Sequence, residues 1–142
     1  MTAIRELIFA SMAAALAADA SAGEVERMAS GDPLGFPARH IGDDGQAVLE
    51  GEVGATRYAL SCSIEGYVEG QGGAAAAAQL NQLYADTVRT VMALIGTVPQ
   101  IENVEEGDMR VAVASLASTR RLAFSTDFTI TYATRRGDPE TL

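Results

Sequence analysis

Along residues 120–132, RRLAFSTDFTITY, side-chain character alternates with a period of two. Leu122, Phe124, Thr126, Phe128, Ile130 and Tyr132 hold the even positions; Arg121, Ala123, Ser125, Asp127, Thr129 and Thr131 hold the odd ones. A strand puts successive side chains on opposite faces, so this pattern predicts one apolar face and one small, polar face. Unbroken, such a strand spans about 40 Å, long for a globular domain. A bend or bulge is therefore expected near Ser125 and Thr126, where the apolar series is interrupted. Residues 57–69 repeat the pattern, with Tyr58, Leu60, Cys62, Ile64 and Val68 set against Arg57, Ser61, Ser63, Glu65 and Glu69. Strands of this kind belong to an antiparallel sheet covered on one face.

Two stretches carry the helical period instead. In residues 2–20, Ile4, Leu7, Ile8, Met12 and Leu16 recur at helical spacing, with Thr2 as a candidate N-cap and Gly23 beyond the far end. In residues 74–95, Leu80, Leu83, Tyr84, Thr87, Val88, Val91, Met92 and Ile95 form a continuous stripe. Gln79, Gln82, Asp86, Arg89 and Thr90 occupy its other side. Between the helices come a short strand at 25–28 and a turn-rich loop at 30–37, SGDPLGFP, whose Phe36 is the one bulky anchor. Segments 38–41 and 46–53 flank Gly42-Asp43-Asp44-Gly45 and predict a hairpin with a four-residue connection. After Pro99 follow a short strand at 101–104, an acidic turn at 105–108, and a weakly alternating strand at 109–116 with Val111 and Val113 on one side. The order predicts a single domain over residues 1–142 of α+β class: a mostly antiparallel β-sheet with two α-helices packed on one face. Leu83, Val88, Phe124 and Phe128 are expected to share one core.

Composition narrows the function classes. The 142 residues carry a net charge of −9, and all ten basic residues are arginine. An acidic chain of this kind is unsuited to gripping nucleic-acid phosphates. A lone cysteine, Cys62, excludes an internal disulfide and falls on the inward side of its strand. The apolar run at residues 7–17 and Ala20-Ser21-Ala22 imitate a secretion signal, but Glu6, Asp19 and the helical spacing favour an amphipathic helix. No run reaches the ~18–20 apolar residues that span a bilayer.

Candidate chemistry is sparse. His40 is the only histidine, with no second histidine or cysteine to share a metal, and no nucleophile has a base beside it. Asp43/Asp44 and Glu105/Glu106 are adjacent acids in expected turns, where carboxylates are commonly solvated. The GQGG before the second helix is no phosphate loop, since GxxxxGK[ST] is absent and the chain has no lysine. Glu65 and Glu69 are placed to meet Arg121 across the sheet. No catalytic residue, metal or cofactor is expected, and the reading is non-enzymatic.

Several segments in order carry a resemblance: Arg5 and Ile8 in the first helix, FPAR at 36–39 with a Gly-Asp turn, AAAQLNQLY at 76–84, IENVEEGD at 101–108, and YATRRGDP at 132–139. In this order the chain resembles the tail-terminator, or tail-completion, proteins of long-tailed bacteriophages and gene-transfer agents. The resemblance implies a sheet backed by two helices and a structural protein of a virion or phage-like particle, assembled in the bacterial cytoplasm. Such a protein forms a homo-oligomeric ring, usually a hexamer. The ring caps the tail tube protein, stops its polymerisation, and offers the joining surface for a head–tail connector protein. DNA passes through without specific binding. On that reading Glu102, Glu105, Glu106 and Asp108 are candidate channel-lining residues. Phe36, Asp43, Asp44, Arg135, Arg136 and Asp138 are candidate partner contacts. A small ligand- or partner-binding α+β domain, or another connector protein of the neck, stands as the second reading.

Overall fold

A computed structural model of the chain describes residues 2–49, 51, 53–70, 73–116 and 119–141. Its elements run α1 (Ile4–Ala18), β1 (Glu24–Arg27), β2 (Ala38–Val48), β3 (Ala55–Gly70), α2 (Gly73–Met92), α3 (Leu94–Thr97), β4 (Ile101–Leu116) and β5 (Thr119–Arg135). The strands form one sheet in the order β1-β2-β3-β5-β4. Only β1 and β2 are parallel; the other pairs are antiparallel. The class is α+β, as the two periodicities predict.

The two long alternating stretches become the central pair. β3 and β5 match without a slip from Ala55 opposite Arg135 to Gly70 opposite Arg120. The bulge expected in β5 lies instead in its neighbours: the register shifts between Asp43 and Gln46 in β2, and at Ile101/Asn103 and Glu106/Met109 in β4. Two predicted turns are thereby corrected. Residues 42–45 do not close a hairpin, because β3 is long enough to pair β2 on both sides of the extra residues, and Gly45 absorbs them at φ 89°. The β2–β3 turn comes later, at Val53 and Gly54. Likewise 101–104 and 109–116 are one strand, and residues 105–108 lie within it. A Cβ on Gly107 would stand 3.1 Å from the Asp127 Cβ, so the backbone bulges where it meets that residue. Glu50, Glu52, Gln71, Gly72, Ala117 and Ser118, which fall in the predicted strand, glycine loop and connection, lie outside the described residues.

Both helices cover one face. Ile8, Met12 and Leu16 of α1 are fully buried against Leu60, Cys62, Ile64, Phe128 and Ile130; burial of side chains this size contributes roughly 1.5–3 kcal/mol each. Leu80 and Leu83 of α2 pack on Val68 and Phe124 in a second cluster. The expected single core is thus two: Leu83 and Phe124 share one, while Val88 and Phe128 belong to the other. Thr87, fully buried between Leu83 and Val91 along α2, returns its hydroxyl to the Leu83 carbonyl at 2.7 Å.

Smaller corrections have local causes. Ala3, not Thr2, holds the N-cap of α1 and supplies no side-chain bond. The first N–H of that helix instead donates to the Pro139 carbonyl at 3.0 Å, so the tail closes one helix end. The second helix breaks at Ala93, which rotates Leu94 inward and leaves Ile95 exposed. Asp86, expected on the wet side, is buried because Ser21, Gln82 and Arg89 surround its carboxylate.

Candidate assembly surfaces

The sheet ends in two unlike edges. β4 runs opposite to β5, β5 opposite to β3 and β3 opposite to β2, so the two outer strands, β4 and β1, are antiparallel to one another. Along β4 the register sets Met109, Val111 and Val113 against Thr126, Phe124 and Leu122, on the helix-side face of the sheet. Among the described residues no helix covers them, and their exposures are 36%, 57% and 62%. An apolar row beside a free strand edge is the combination that invites pairing with another strand. At the far side, β1 pairs β2 only over residues 38–41, so the outer edge of β2 beyond Ile41 is not covered by it, and Val48 there is exposed.

The four candidate channel acids all fall on β4. Glu102 is engaged by Arg57, with the guanidinium nitrogens at 2.7 and 3.1 Å, and Glu105 accepts from the Asn103 amide at 3.1 Å. Glu105 opposes Thr129 and Glu106 opposes Phe128, so these neighbours project to opposite faces. Asp108 is exposed in the bulge.

The lower end of the sheet gathers the β2–β3 turn, the tail and the start of α1. Arg135 and Arg136 are exposed there, while their backbone N–H groups donate to Thr141 and Gly54 at 2.8 and 2.9 Å. Asp138 is used within the chain: its carboxylate accepts the Glu140 N–H at 3.1 Å and the Thr141 hydroxyl at 2.9 Å, which holds it below the usual carboxylate range. The tail is therefore a bonded turn. Asp43 is likewise engaged. Arg5 grips both its oxygens and Gly45 donates to it at 3.0 Å, with the hydrogen bonds from Arg5 the main reason its carboxyl titrates low. Asp44 beside it is exposed.

The upper end carries the loop at 30–37. Phe36 anchors it, half-buried beneath the Arg121 guanidinium at 5.1 Å, while Leu34 stands 93% exposed. Arg121 also meets Asp32 at 3.5 Å, rather than the expected Glu65 or Glu69. Under the loop lies a cleft of about 250 Å³ between Ser21, Phe36, Val68, Glu69, Gln82 and Leu83, smaller than the ~300–1,000 Å³ of ordinary small-molecule sites.

Sequence reasoning put Val111 and Val113 on one side of their strand but did not single out the row they form with Met109 as a surface. The alternation was legible, but nothing along the chain says which part of a sheet the helices will cover. Among the described residues, no helix is long and apolar enough to cross a membrane. No model of a known protein family matches the chain, and none of the curated proteins does. The fold thus defines a one-sided α+β domain whose two outer strands, β1 and β4, run antiparallel to one another and whose two ends are chemically distinct.

Proposed function

We propose that this chain is a structural assembly protein of the tail-terminator type, a ring that caps the tube of a phage-like tail and presents the joining surface for the head. The observation that carries the reading is the open β4 edge with its uncovered apolar row. A ring needs a contact in which one face of each copy meets a different face of the next. Here the two edges differ, and because β4 and β1 run in opposite directions, copies standing upright around an axis bring β4 against the β1/β2 edge as an antiparallel ladder. The two ends then face along the axis. One carries Arg135 and Arg136, whose planar forks suit acidic partner surfaces; the other carries Asp32 and Leu34. Unlike ends are what a terminator needs, since one must match the tube and the other must not propagate it.

The test is assembly. Native mass measurement and negative-stain images of the purified chain should give annular oligomers. Val111→Lys with Val113→Lys should give monomers of unchanged melting temperature. In the producing strain, deletion should leave full heads beside tubes of excessive or irregular length. Normal tails joined to heads in that strain would overturn the proposal. Channel lining has its own arm: Glu105 and Glu106 project to opposite faces, so only one can face the axis. Of the separate variants Glu105→Arg and Glu106→Arg, one should slow DNA ejection without lowering particle number.

A further inference from the structure

On the face of the sheet away from the helices, the parallel β1–β2 pair assembles a group that no stretch of sequence displays. Glu24 and Glu26 are two apart on β1 and so share a face, and Glu26 lies opposite His40 on β2. One donor atom from each of the three, two carboxylate oxygens and an imidazole nitrogen, lies within 4.8 Å of the others. His40 is only 7% exposed, and its Nε2 stands 2.8 Å from a Glu24 oxygen, the two sharing one hydrogen.

Three features fit these groups to a cation. The second Glu24 oxygen accepts the Leu34 and Gly35 N–H groups at 2.9 and 3.3 Å, which fixes the carboxylate as outer partners fix metal ligands. The Tyr67 ring, 5.3 Å from the imidazole, holds His40 in orientation, and a cleft lined by Met28, Gly31, His40, Glu65 and Tyr67 gives access from solvent. Finally, the carboxylates of Glu24 and Glu26 repel at this separation, and Arg27, next in sequence, turns to Glu6 at 2.6 Å and not to either of them.

We infer that Glu24, Glu26 and His40 form a binding site for a divalent metal ion of the zinc type, with the metal replacing the hydrogen between His40 and Glu24. One nitrogen and two carboxylate oxygens are ligands that zinc accepts at about 2.0–2.2 Å. Ligand atoms on one tetrahedral ion stand about 3.4 Å apart, so closure asks the 2.8 Å contact between His40 and Glu24 to open by about 0.6 Å and the exposed Glu26 side chain to swing in. The metal would tie β1 and the loop at 30–37 to the sheet, stiffening the upper end. This inference rests on the β1–β2 register and stands apart from the ring reading.

His40 is the only histidine, so in tag-free, chelator-stripped protein its imidazole resonances report coordination directly. Titration with Zn²⁺ should shift them to saturation at one ion per chain, and Co²⁺ should give visible absorption. Glu26→Gln, an exposed change that leaves the fold intact, should weaken binding about tenfold or more, while Glu140→Gln should bind as the parent does. Imidazole resonances unmoved at millimolar Zn²⁺, or equal binding by Glu26→Gln, would overturn the assignment.

Discussion

Arg39 and Asp19 form a bidentate ion pair, Nη1 and Nη2 at 2.5 and 2.8 Å from the two carboxylate oxygens, with the guanidinium side chain 1% exposed. Nη2 also donates to the Leu16 carbonyl at 2.8 Å, and Thr90 donates to Asp19 at 2.9 Å. One arginine on β2 thereby closes the end of α1 and holds it beside α2.

Removing one partner leaves a buried charge without a counter-charge. Asp19→Ala should cost about 3–5 kcal/mol and lower the melting temperature by on the order of 10 °C. Replacing both residues, Arg39→Met with Asp19→Leu, should recover much of that loss, because apolar groups need no partner. A thermal melt of the single variant within 2 °C of the parent would show the pair to be solvated.

The same pair sets the acid limb of stability. Burial pushes the Asp19 carboxyl up, but hydrogen bonds from Arg39, Thr90 and Ser21 together hold it below its ordinary value. Asp43 is lowered in the same direction by Arg5. A folded-state pKa below the unfolded one, near 3.9, means the stabilisation is complete above that value and is lost as pH falls through the lowered pKa. Urea unfolding should give constant stability contributions from these groups between neutrality and about pH 5, then a fall below about pH 4. Asp19→Asn should flatten that fall.

Gly66 lies opposite Phe124, and the Phe124 ring covers it: a Cβ there would stand 2.0 Å from ring carbon Cε2. The ring is buried and hemmed by Leu80 and Leu83, so it cannot swing clear. Gly66→Ala should destabilise by about 1–3 kcal/mol through forced repacking, measured by denaturant unfolding. A neutral result would mean the ring sits elsewhere in solution.

Cys62 is buried in the larger cluster, and burial, with the nearby Asp44, Asp43 and Asp127 carboxylates, pushes its thiol up to about 12. A thiol reagent at pH 8 should label it only after denaturant is added, since the reactive thiolate is suppressed and the sulfur is covered. Rapid labelling of the native chain would place the strand one residue out of register.

Much of the fold was legible because its signals are local. Strand parity depends only on neighbouring residues, so Leu60, Cys62, Ile64, Phe124, Phe128 and Ile130 could be assigned to one face, and all six are buried. Helix stripes are local in the same sense, which is why Leu80 and Leu83 were placed inward. What pairing decides was not legible. Gly42-Asp43-Asp44-Gly45 has turn composition, yet it becomes a bulge because a sixteen-residue partner continues past it. Gly66 is the gap in its own alternating series, and only the ring of Phe124, 58 positions on, explains it. The candidate surfaces divide the same way. The chain names Arg135, Arg136 and the acids of 102–108, but which carboxylates are free, which apolar row stays uncovered and which glutamates meet the single histidine depend on strand order. Strand order brings together residues far apart in sequence, and a periodicity confined to one segment holds no record of its neighbours.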